Sequence, residues 1–345
     1  MIEGGPKQRR SPADGTTGKR IGVVLINLGT PEDFTYWPVR RYLKEFLSDR
    51  RVIETNPVLW WLVLNGPILT VRPKKSGHAY KKIWNFELNE SPLKTITREQ
   101  AKAVAAAFTG EEAITVDWAM RYGKPPLAER LQALVDQGAE RILLVPLYPQ
   151  YSAATTATAL DKAFDALRAM RRQPALRTLP PYYDSPSYIE ALATSIRGHL
   201  QGLPWQPQKI MASFHGLPQE YTDKGDPYKE HCVTTARLLG EALDLQKQEL
   251  VVAFQSRFGR AEWLKPYADQ TAAELAKGGC RNLLVVCPGF AADCVETLEE
   301  IGIALRETFL GQGGKEFSVV PCLNASPPSI RMLNSLIRQE LAGWL

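Results

Sequence analysis

The sequence predicts an α/β fold made of two similar, doubly wound domains, each with a parallel sheet covered by helices. Short apolar runs alternate with helical patterns such as 126–137 and 263–277, which is typical of this class. The runs are almost continuously apolar, as expected of strands buried on both faces of a parallel sheet. The strongest strand candidates are residues 21–26, 141–146, 210–214, 250–254 and 283–287.

The two halves of the chain repeat the same order of motifs, which predicts that they share one architecture. In each half a strand ends near a glycine, a second strand runs into an Arg-aromatic-Gly triplet, and a third strand ends in a turn. The paired motifs are Gly29 and Gly216, residues 121–123 and 257–259, and residues 148–152 and 288–293.

The predicted domains are residues 20–180 and 181–345, joined near the proline-rich stretch 180–186, with the last helix a candidate to pack back on the first domain. Residues 1–19 are rich in glycine, proline, serine, threonine and charge, so we expect a disordered leader there. Ligands of such sheets bind outside the carboxyl ends of the strands. Two domains that face each other with these ends would form a cleft, and we predict the active site in it.

Composition and charge narrow the class of protein. A chain of 345 residues with 44% apolar residues can bury a core, and a scattered net charge of +5 gives no reason to expect a nucleic-acid partner. Cys280, Cys287 and Cys294 recur every seven residues, but no C-x-x-C pair exists and Cys287 lies in an apolar run, where cysteine acts as a small hydrophobe. This cysteine usage predicts a reducing location, the cytoplasm.

One apolar segment, residues 57–71, contains Trp60 and Trp61 and is followed by basic residues. It is too short to span a bilayer, and we expect Gly66-Pro67 to break it. Two interpretations fit its composition equally well: contact with a membrane surface, and burial as a core helix.

His215 differs from the other histidines because it directly follows an apolar strand. His78, His199 and His231 lie in charged or helical surroundings, which favours exposure to solvent for each of them. The loop after His215, residues 219–228, is polar and rich in turn residues, which favours an open site. From the residues alone, core packing and a functional role are equally open for His215.

Glu296 and Glu300 lie four residues apart at the predicted start of a helix, so both fall on one face. An ordinary acidic first turn, favoured by the helix dipole, is the stronger interpretation of this fragment alone. An imidazole and two carboxylates at neighbouring strand ends, however, suit ferrous iron and accept protons. No closed structural-metal pattern is present, so the site would suit a metal that passes through. No dinucleotide, Walker or G-x-S-x-G motif competes.

Two separated motifs resemble the signature regions of ferrochelatases: SFHGLP at 213–218 with GDPY at 225–228, and FAADCVETLEE at 290–300. Supporting segments are LINLGTP at 25–31, ESPL at 90–93, Arg121-Tyr122, YPQYSAATT at 148–156, Gln255-Ser256 and Trp263. The resemblance extends from Ile21 to about Leu341. It implies two Rossmann-like domains with a porphyrin between them, and insertion of ferrous iron into protoporphyrin IX to form protohaem, the last step of haem biosynthesis.

By position, the resemblance assigns His215 to the family's active-site histidine, Glu296 to its active-site glutamate and Glu300 to the next acid along the helix. It implies that His215 and Glu296 are catalytic and that all three side chains handle the metal. Positions that line the porphyrin cleft or the approach of the metal are matched by Leu28, Arg121, Tyr122, Tyr148, Ser152 and Trp263. Arg121 is a candidate to anchor a propionate, because a guanidinium binds a carboxylate bidentately.

The segment with Trp60 and Trp61 matches the family's lip over the mouth of the cleft, which places membrane contact ahead of burial. We call residues 56–75 the lip. The expected partners are porphyrin, ferrous iron and a membrane surface touched peripherally. The cytoplasm is the expected location, with attachment to the inner face of the cell membrane as the alternative.

The sequence departs from the animal enzymes in ways that point to the bacterial type. Cys294 stands where they have a second histidine and Ala304 where they have a further acid, which puts an iron route through these positions in doubt. Ala153 stands at the upstream ligand of their [2Fe-2S] cluster, and their C-terminal extension is missing. We therefore expect no cluster, no permanently bound cofactor, and a monomer or weak dimer.

Three alternatives remain at this stage: a coproporphyrin substrate, a cobalt-inserting chelatase of the same architecture, and a porphyrin or haem carrier without turnover. The tryptophan-rich lip favours the less polar porphyrin. The cobalt enzymes lack the full motif at 213–218, and a carrier has no need of paired acids beside its imidazole.

Overall fold

Two four-stranded parallel sheets covered by helices confirm the predicted fold class. The computed structural model describes residues 20–111, 113–246, 248–259 and 261–345, so the predicted leader at 1–19 lies outside the described residues. The strands are β1 Ile21–Thr30, β2 Ile114–Gly123, β3 Arg141–Pro146, β4 Ala175–Thr178, β5 Lys209–His215, β6 Leu250–Gln255, β7 Asn282–Val286 and β8 Glu316–Val319. The sheet orders are β2-β1-β3-β4 and β6-β5-β7-β8.

The helices are α1 Tyr36–Leu47, α2 Pro57–Val63, α3 Leu69–Ile83, α4 Pro92–Ala106, α5 Leu127–Asp136, α6 Thr158–Ala169, α7 Pro186–Gln201, α8 Gln219–Asp223, α9 Tyr228–Ala242, α10 Ala268–Lys277, α11 Arg306–Gly311 and α12 Pro327–Leu341. Three further helical segments of the described residues are π-helical: Leu64–Ile68, Ala153–Ala157 and Glu296–Leu305. Such segments are uncommon and often lie at functional sites.

The five strongest strand candidates all exist, and the two strands that the sequence did not predict, β4 and β8, each lie at one edge of a sheet. Strands β4 and β8 are four residues long, partly polar and half-exposed, so they carry no apolar run. Helix α10 begins at Ala268 rather than near Trp263. The preceding stretch is extended because Trp263 and Tyr267 form isolated bridges with Pro218 and Phe254.

The expectation that Gly66-Pro67 breaks the apolar segment is wrong, because helical structure runs from Pro57 to Ile83 through a π-helical turn. At the end of that turn the backbone N–H of Leu69 donates to the carbonyl of Leu64, five residues earlier. The wider turn admits Pro67, which has no N–H to donate.

The two sheets share one hydrophobic core. A single cluster of buried side chains includes Leu25 and Val145 of the first sheet and Phe214 and Val286 of the second. Because this core is continuous, the position of a domain boundary near residue 180 stays a prediction.

The last helix, α12, packs against α4 and β3 as well as α7. Arg141 donates to the carbonyl of Trp344 at 2.7 Å, and Arg177 donates to that of Ala342 at 2.9 Å. The end of the chain is thus tied to strands β3 and β4 of the first sheet, which is the contact that the sequence analysis considered for the last helix.

Candidate active site

The carboxyl ends of β5, β6 and β7 bring the predicted catalytic residues to one edge of the second sheet. His215 is the last residue of β5 and lies opposite Gln255, the last residue of β6. The π-helical segment Glu296–Leu305 follows β7. Glu296 and Glu300 therefore lie at the same edge of the second sheet as the imidazole of His215, as expected for a parallel sheet.

A local contact of His215 determines which nitrogen of its ring carries a proton. Nδ1 lies 2.6 Å from the carbonyl oxygen of Gly216. A carbonyl oxygen only accepts, so Nδ1 is the donor and carries the proton. In the neutral ring Nε2 is then left with its lone pair, free to accept a proton or to bind a metal. The side chain is partly exposed.

The start of the π-helical segment is held by Asp293. Its carboxylate accepts hydrogen bonds from Thr297 Oγ1 at 2.8 Å and from Asn324 Nδ2 at 2.7 Å. Thr297 Oγ1 in turn accepts from the backbone N–H of Cys294 at 3.1 Å. The helix that begins at Glu296 is π-helical, where the sequence predicted only a helix. Its turn holds four to five residues, so Glu296 and Glu300 remain on one side.

The carboxylate of Glu300 accepts two hydrogen bonds from Ser256, which directly follows β6. The backbone N–H of Ser256 donates to Oε1 at 2.7 Å, and the hydroxyl donates to Oε2. Burial raises the pKa of the Glu300 carboxyl, while the bonds from Ser256 and the charge of His215 partly oppose the rise. Glu300 is therefore a carboxylate for which protonation is easier than in water.

Glu296 lies on the side of the first half of the chain. Burial, and then nearby charges that include Glu296, raise the pKa of Tyr42 and of Tyr80, so both phenols stay neutral. Tyr42 belongs to α1 and Tyr80 to α3, which packs on the π-helical segment. Lys82 of α3 forms an ion pair of 2.8 Å with Glu299. The acidic segment therefore joins the two halves.

The predicted metal ligands are brought together only loosely. Among the described residues, no three histidine, cysteine, aspartate or glutamate side chains are arranged to hold a metal ion together. The reason lies in the separate environments of the acids, since Glu300 is bound by Ser256 and Glu296 lies near the two tyrosines. A closed three-ligand site at His215, Glu296 and Glu300 is therefore not formed, and their part in handling the metal stays a prediction.

Arg121 is not a free guanidinium. It forms an ion pair with Asp49, its Nε donates to the Thr158 carbonyl at 2.8 Å, and both charged side chains are 11% exposed. The hydroxyl of Tyr122, which is fully buried, donates to the same Asp49 carboxylate at 2.9 Å. A propionate at Arg121 would have to compete with Asp49, and Tyr122 offers no surface to a ligand in this conformation.

The remaining predicted cleft residues divide into two groups. Tyr148 and Ser152 are buried, and the Ser152 hydroxyl donates to Asp226 Oδ2 at 2.9 Å, across the boundary between the halves. Leu28 and Trp263 are partly exposed, and the indole N–H of Trp263 donates to the carbonyl of Phe258 at 2.8 Å. Of these four, only Leu28 and Trp263 keep apolar surface for a ligand.

The two tryptophans of the lip have opposite environments. Trp60 packs against the cluster of α1 and β2, and its indole N–H donates to the carbonyl of Leu47 at 2.6 Å. Trp61 is 61% exposed beside Val58, Leu59 and Leu62, which are at least 57% exposed. The ring of Trp60 is thus partly used inside the fold, while that of Trp61 is open to solvent, and a membrane contact through either one stays a prediction. No helix in the described part of the chain is long and apolar enough to cross a bilayer.

Arg72 is a candidate residue that the sequence marks only as one of several basic residues at the end of the lip. Its guanidinium lies 4.0 Å above the ring of Phe258, which belongs to the loop between Ser256 and Trp263. Nη1 is buried and has no hydrogen-bond partner among the described residues, and burial lowers the pKa of the group. No sequence signal separated Arg72 from its basic neighbours, because the contact joins α3 to a loop almost two hundred residues later.

The other histidines have structural surroundings. His78 is exposed, as expected, but His199 and His231 are not fully solvated. His199 shares a hydrogen bond of 2.8 Å with Ser318, and His231 stacks on Tyr183 with ring centres 3.6 Å apart. His215 is therefore the histidine that ends a strand, and its Nε2 has no hydrogen-bond partner among the described residues.

Comparison with known proteins gives one consistent result. The family model described as Ferrochelatase matches residues 20–341. A curated ferrochelatase of Rhizobium meliloti (strain 1021) is 56% identical over 326 residues, covering 94% of this chain and 96% of the relative. A ferrochelatase of Bradyrhizobium diazoefficiens is 52% identical over 345 residues, covering all of both chains.

Among solved structures, SirB from Bacillus subtilis with Fe³⁺ matches with a TM-score of 0.56 at 12% identity, covering 94% of this chain and 96% of SirB. DR2241 from Deinococcus radiodurans, described as structurally similar to chelatases, matches with a TM-score of 0.51 at 12% identity and covers 92% of this chain and 55% of its own. At this identity the likeness concerns the fold, which is the two-sheet arrangement described above.

Proposed function

The chain belongs to the ferrochelatase family, and we propose that it inserts ferrous iron into protoporphyrin IX with release of two protons. The observation that carries the proposal is the arrangement of His215 and Glu300 at one sheet edge. In its neutral form the imidazole has a lone pair on Nε2, and burial raises the pKa of the Glu300 carboxyl. Nε2 can therefore accept a proton, and Glu300 takes up a proton more readily than a carboxylate in water.

The chemistry sets three tasks. A free porphyrin carries two pyrrole protons, the ring must bend to admit the metal, and hydrated iron must lose water. A cleft that binds the macrocycle in a bent form stabilises the transition state more than the flat substrate. In this proposal Leu28 and Trp263 supply apolar surface to the ring, since both remain partly exposed.

We assign proton acceptance or iron transfer to Nε2 of His215, and the complementary task to Glu296 and Glu300. An imidazole with one free nitrogen and a pair of carboxylates are all suitable ligands for divalent iron. The separate surroundings of the two acids suit a path with successive positions better than a closed cage, because each acid is held by different neighbours.

We propose that Arg72 binds a porphyrin propionate. A half-buried guanidinium with an unpartnered N–H gains most from a carboxylate, because its desolvation has already occurred. Arg121 is the weaker candidate for this role, since its guanidinium is already paired with Asp49.

The lip is proposed to touch a membrane surface through Trp61 and its exposed neighbours. Pro57, Val58, Trp61 and Leu62 line a shallow, almost wholly apolar concavity of about 450 Å³. Lys74 and Lys75 of α3, which are close in sequence, are exposed, and their positive charge favours contact with anionic lipid headgroups. Such contact would suit a porphyrin that is itself poorly soluble in water, and it favours protoporphyrin over coproporphyrin as substrate.

We also propose that no iron–sulfur cluster is bound. Ala153 occupies the position of the upstream cluster ligand, and the five cysteines are buried as free thiols. Iron–sulfur absorbance in anaerobically purified protein would contradict this proposal.

The deciding experiment is an anaerobic assay of iron insertion into protoporphyrin and coproporphyrin, with wild-type protein, His215→Ala and the control His78→Ala. We expect loss of activity of roughly a hundredfold or more in His215→Ala, as is usual for a group that moves protons in the transition state. His78 is exposed, so its variant should match the wild type. Activity of His215→Ala within about tenfold of wild type would overturn the assignment of His215.

A further inference from the structure

We propose that Ser256 is a positioning residue for iron insertion, which fixes the Glu300 carboxylate at the end of β6 and accepts a strained backbone to do so. This inference rests on the proposed function, because it assigns Glu300 a part in the reaction. Ser256 itself does not need to touch iron or porphyrin. Its effect is on the direction in which the Glu300 oxygens point.

The backbone of Ser256 is the first observation. Its φ is +65°, in the left-handed region. The other non-glycine residues with positive φ in the described part of the chain are Asn89, Asp244 and Asn324, types that tolerate this region through short polar side chains. Serine adopts a left-handed backbone less readily than asparagine or aspartate. Strained backbone of this kind persists where the surroundings over-determine it, and it concentrates at functional sites.

The contacts of Ser256 are the second observation. Its backbone N–H donates to one oxygen of Glu300 at 2.7 Å, and its hydroxyl donates to the other. Both oxygens of one carboxylate are therefore held by one residue, which fixes the plane of the group as well as its position. Bonds to an ionised acceptor are also stronger than bonds between neutral groups. The left-handed backbone allows the N–H and the hydroxyl to serve the same carboxylate.

The contacts of Gln255, the residue before Ser256, show how the strained backbone of Ser256 is maintained. The carbonyl of Gln255 accepts from the N–H of Gly216 at 2.7 Å, and a Cβ at Gly216 would lie 2.7 Å from that carbonyl. The side chain of Gln255 accepts from Ser213 Oγ at 2.7 Å and donates to the carbonyl of Glu296 at 2.9 Å. The end of β6 is thus fixed between β5 and the π-helical segment, and Ser256 extends this link to Glu300.

Ser256→Gly separates positioning from a purely structural role. Glycine adopts a φ of +65° without strain and keeps the backbone N–H, so the variant loses only the hydroxyl. If Ser256 served the fold alone, relief of strain would leave activity unchanged or higher. For a positioning residue we expect kcat to fall by about tenfold or more, from the loss of one bond to a charged group. The KM for porphyrin should stay within about twofold, since Ser256 makes no porphyrin contact in the proposal.

The matched control is Asp244→Gly. It makes the same backbone change at an exposed position with a φ of +55°, in the turn after α9. We expect its kcat to equal that of the wild type. Circular dichroism and thermal unfolding of all variants establish that each one is folded.

A double-mutant cycle identifies the group through which Ser256 acts. Ser256→Gly is compared in the wild-type background and in Glu300→Ala. We expect the hydroxyl deletion to change kcat by less than about twofold when the carboxylate is absent. An undiminished loss in the Glu300→Ala background would overturn the inference, because Ser256 would then act through another group.

The two proposals fail in different ways in this experiment. Absence of iron insertion by the wild-type protein would overturn the proposed function. Normal insertion by the wild type together with an unchanged kcat in Ser256→Gly would overturn only the positioning role of Ser256.

Discussion

Nδ1 of His231 accepts a hydrogen bond of 3.2 Å from the backbone N–H of Tyr151, across the boundary between the two halves of the chain. Tyr151 follows β3 of the first sheet, and His231 lies on α9 beside the second. An N–H donor requires a lone pair on Nδ1, so the imidazole is neutral in this contact. Further bonds cross at the same place, from Gln150 to Thr235 and from both the Ser152 hydroxyl and the Ala153 N–H to Asp226.

This contact predicts a pH-dependent stability. Burial lowers the pKa of His231, against the opposing charges of Asp184, Asp226 and Glu230. A folded pKa below the unfolded value means that the contribution to stability is fully present above about pH 6.5 and is lost as the pH falls towards the folded pKa. We expect the free energy of unfolding in urea to fall less in His231→Asn than in wild type between about pH 8 and about pH 5. Asparagine keeps an acceptor for the Tyr151 N–H and does not titrate.

The exposed His78 provides the control for this titration. His78→Asn should lose as much stability as the wild type over the same pH range. If His231→Asn also follows the wild type, protonation of His231 is not the cause of the loss.

The buried ion pair of Arg121 and Asp49 predicts a large effect on stability. Asp49→Ala would leave a guanidinium that is 11% exposed without its partner, and the hydroxyl of Tyr122 would lose its acceptor. Breaking a buried pair from one side costs about 3–5 kcal/mol, and we expect a loss of that size in the free energy of unfolding. Urea unfolding followed by tryptophan fluorescence measures it.

Asp161→Ala is the matched control, because Asp161 pairs with Arg51 where the side chains are 48% and 43% exposed. An exposed pair contributes about 1 kcal/mol or less. Equal losses in the two aspartate variants would show that burial does not govern the Arg121 pair.

The lip predicts different results for two adjacent tryptophans. Trp61→Ala removes a ring that is 61% exposed, so we expect unchanged stability and binding to anionic vesicles weakened by about tenfold or more. Trp60→Ala removes a ring packed on the α1 cluster and its bond to the Leu47 carbonyl, so we expect a loss of about 3 kcal/mol in the free energy of unfolding. Vesicle co-sedimentation and urea unfolding measure the two effects. A variant of Trp61 that binds vesicles as the wild type does would contradict the proposed membrane contact.

The sequence predicted what depends on local pattern. The strands that end at Pro146 and His215 follow from continuous apolar runs, and the shared order of motifs predicted two like sheets. The apolar pattern of the sequence did not predict β4 or β8, because these two edge strands are short and partly polar. It also placed a break at Gly66-Pro67, where a π-helical turn admits the proline.

Contacts between distant segments account for the features of the site that the sequence did not predict. The sequence identified His215 and Glu300 by their positions at strand ends. The hydrogen bonds from Ser256 to Glu300, however, connect residues 44 apart and depend on a left-handed φ at Ser256. The pairing of Arg121 with Asp49 spans 72 residues, and no local pattern indicated that the guanidinium was occupied. Trp60 and Trp61 are neighbours in sequence, and the packing of α1 against the lip decides which one is partly buried.

Arg72 gives a prediction about recognition of the substrate. Arg72→Met keeps an unbranched apolar side chain and removes the guanidinium, which lies over the ring of Phe258 and whose Nη1 has no partner among the described residues. If that group binds a propionate, the variant should weaken porphyrin binding by about tenfold or more, the usual contribution of a bond between charged groups. Quenching of tryptophan fluorescence by porphyrin measures the affinity without turnover. The dimethyl ester of the porphyrin has no free carboxylate, so wild type and variant should bind it about equally well. Arg168→Met, at an exposed ion pair on α6, controls for the loss of a positive charge. Equal weakening for the free acid and the ester would place the role of Arg72 in packing rather than in carboxylate recognition.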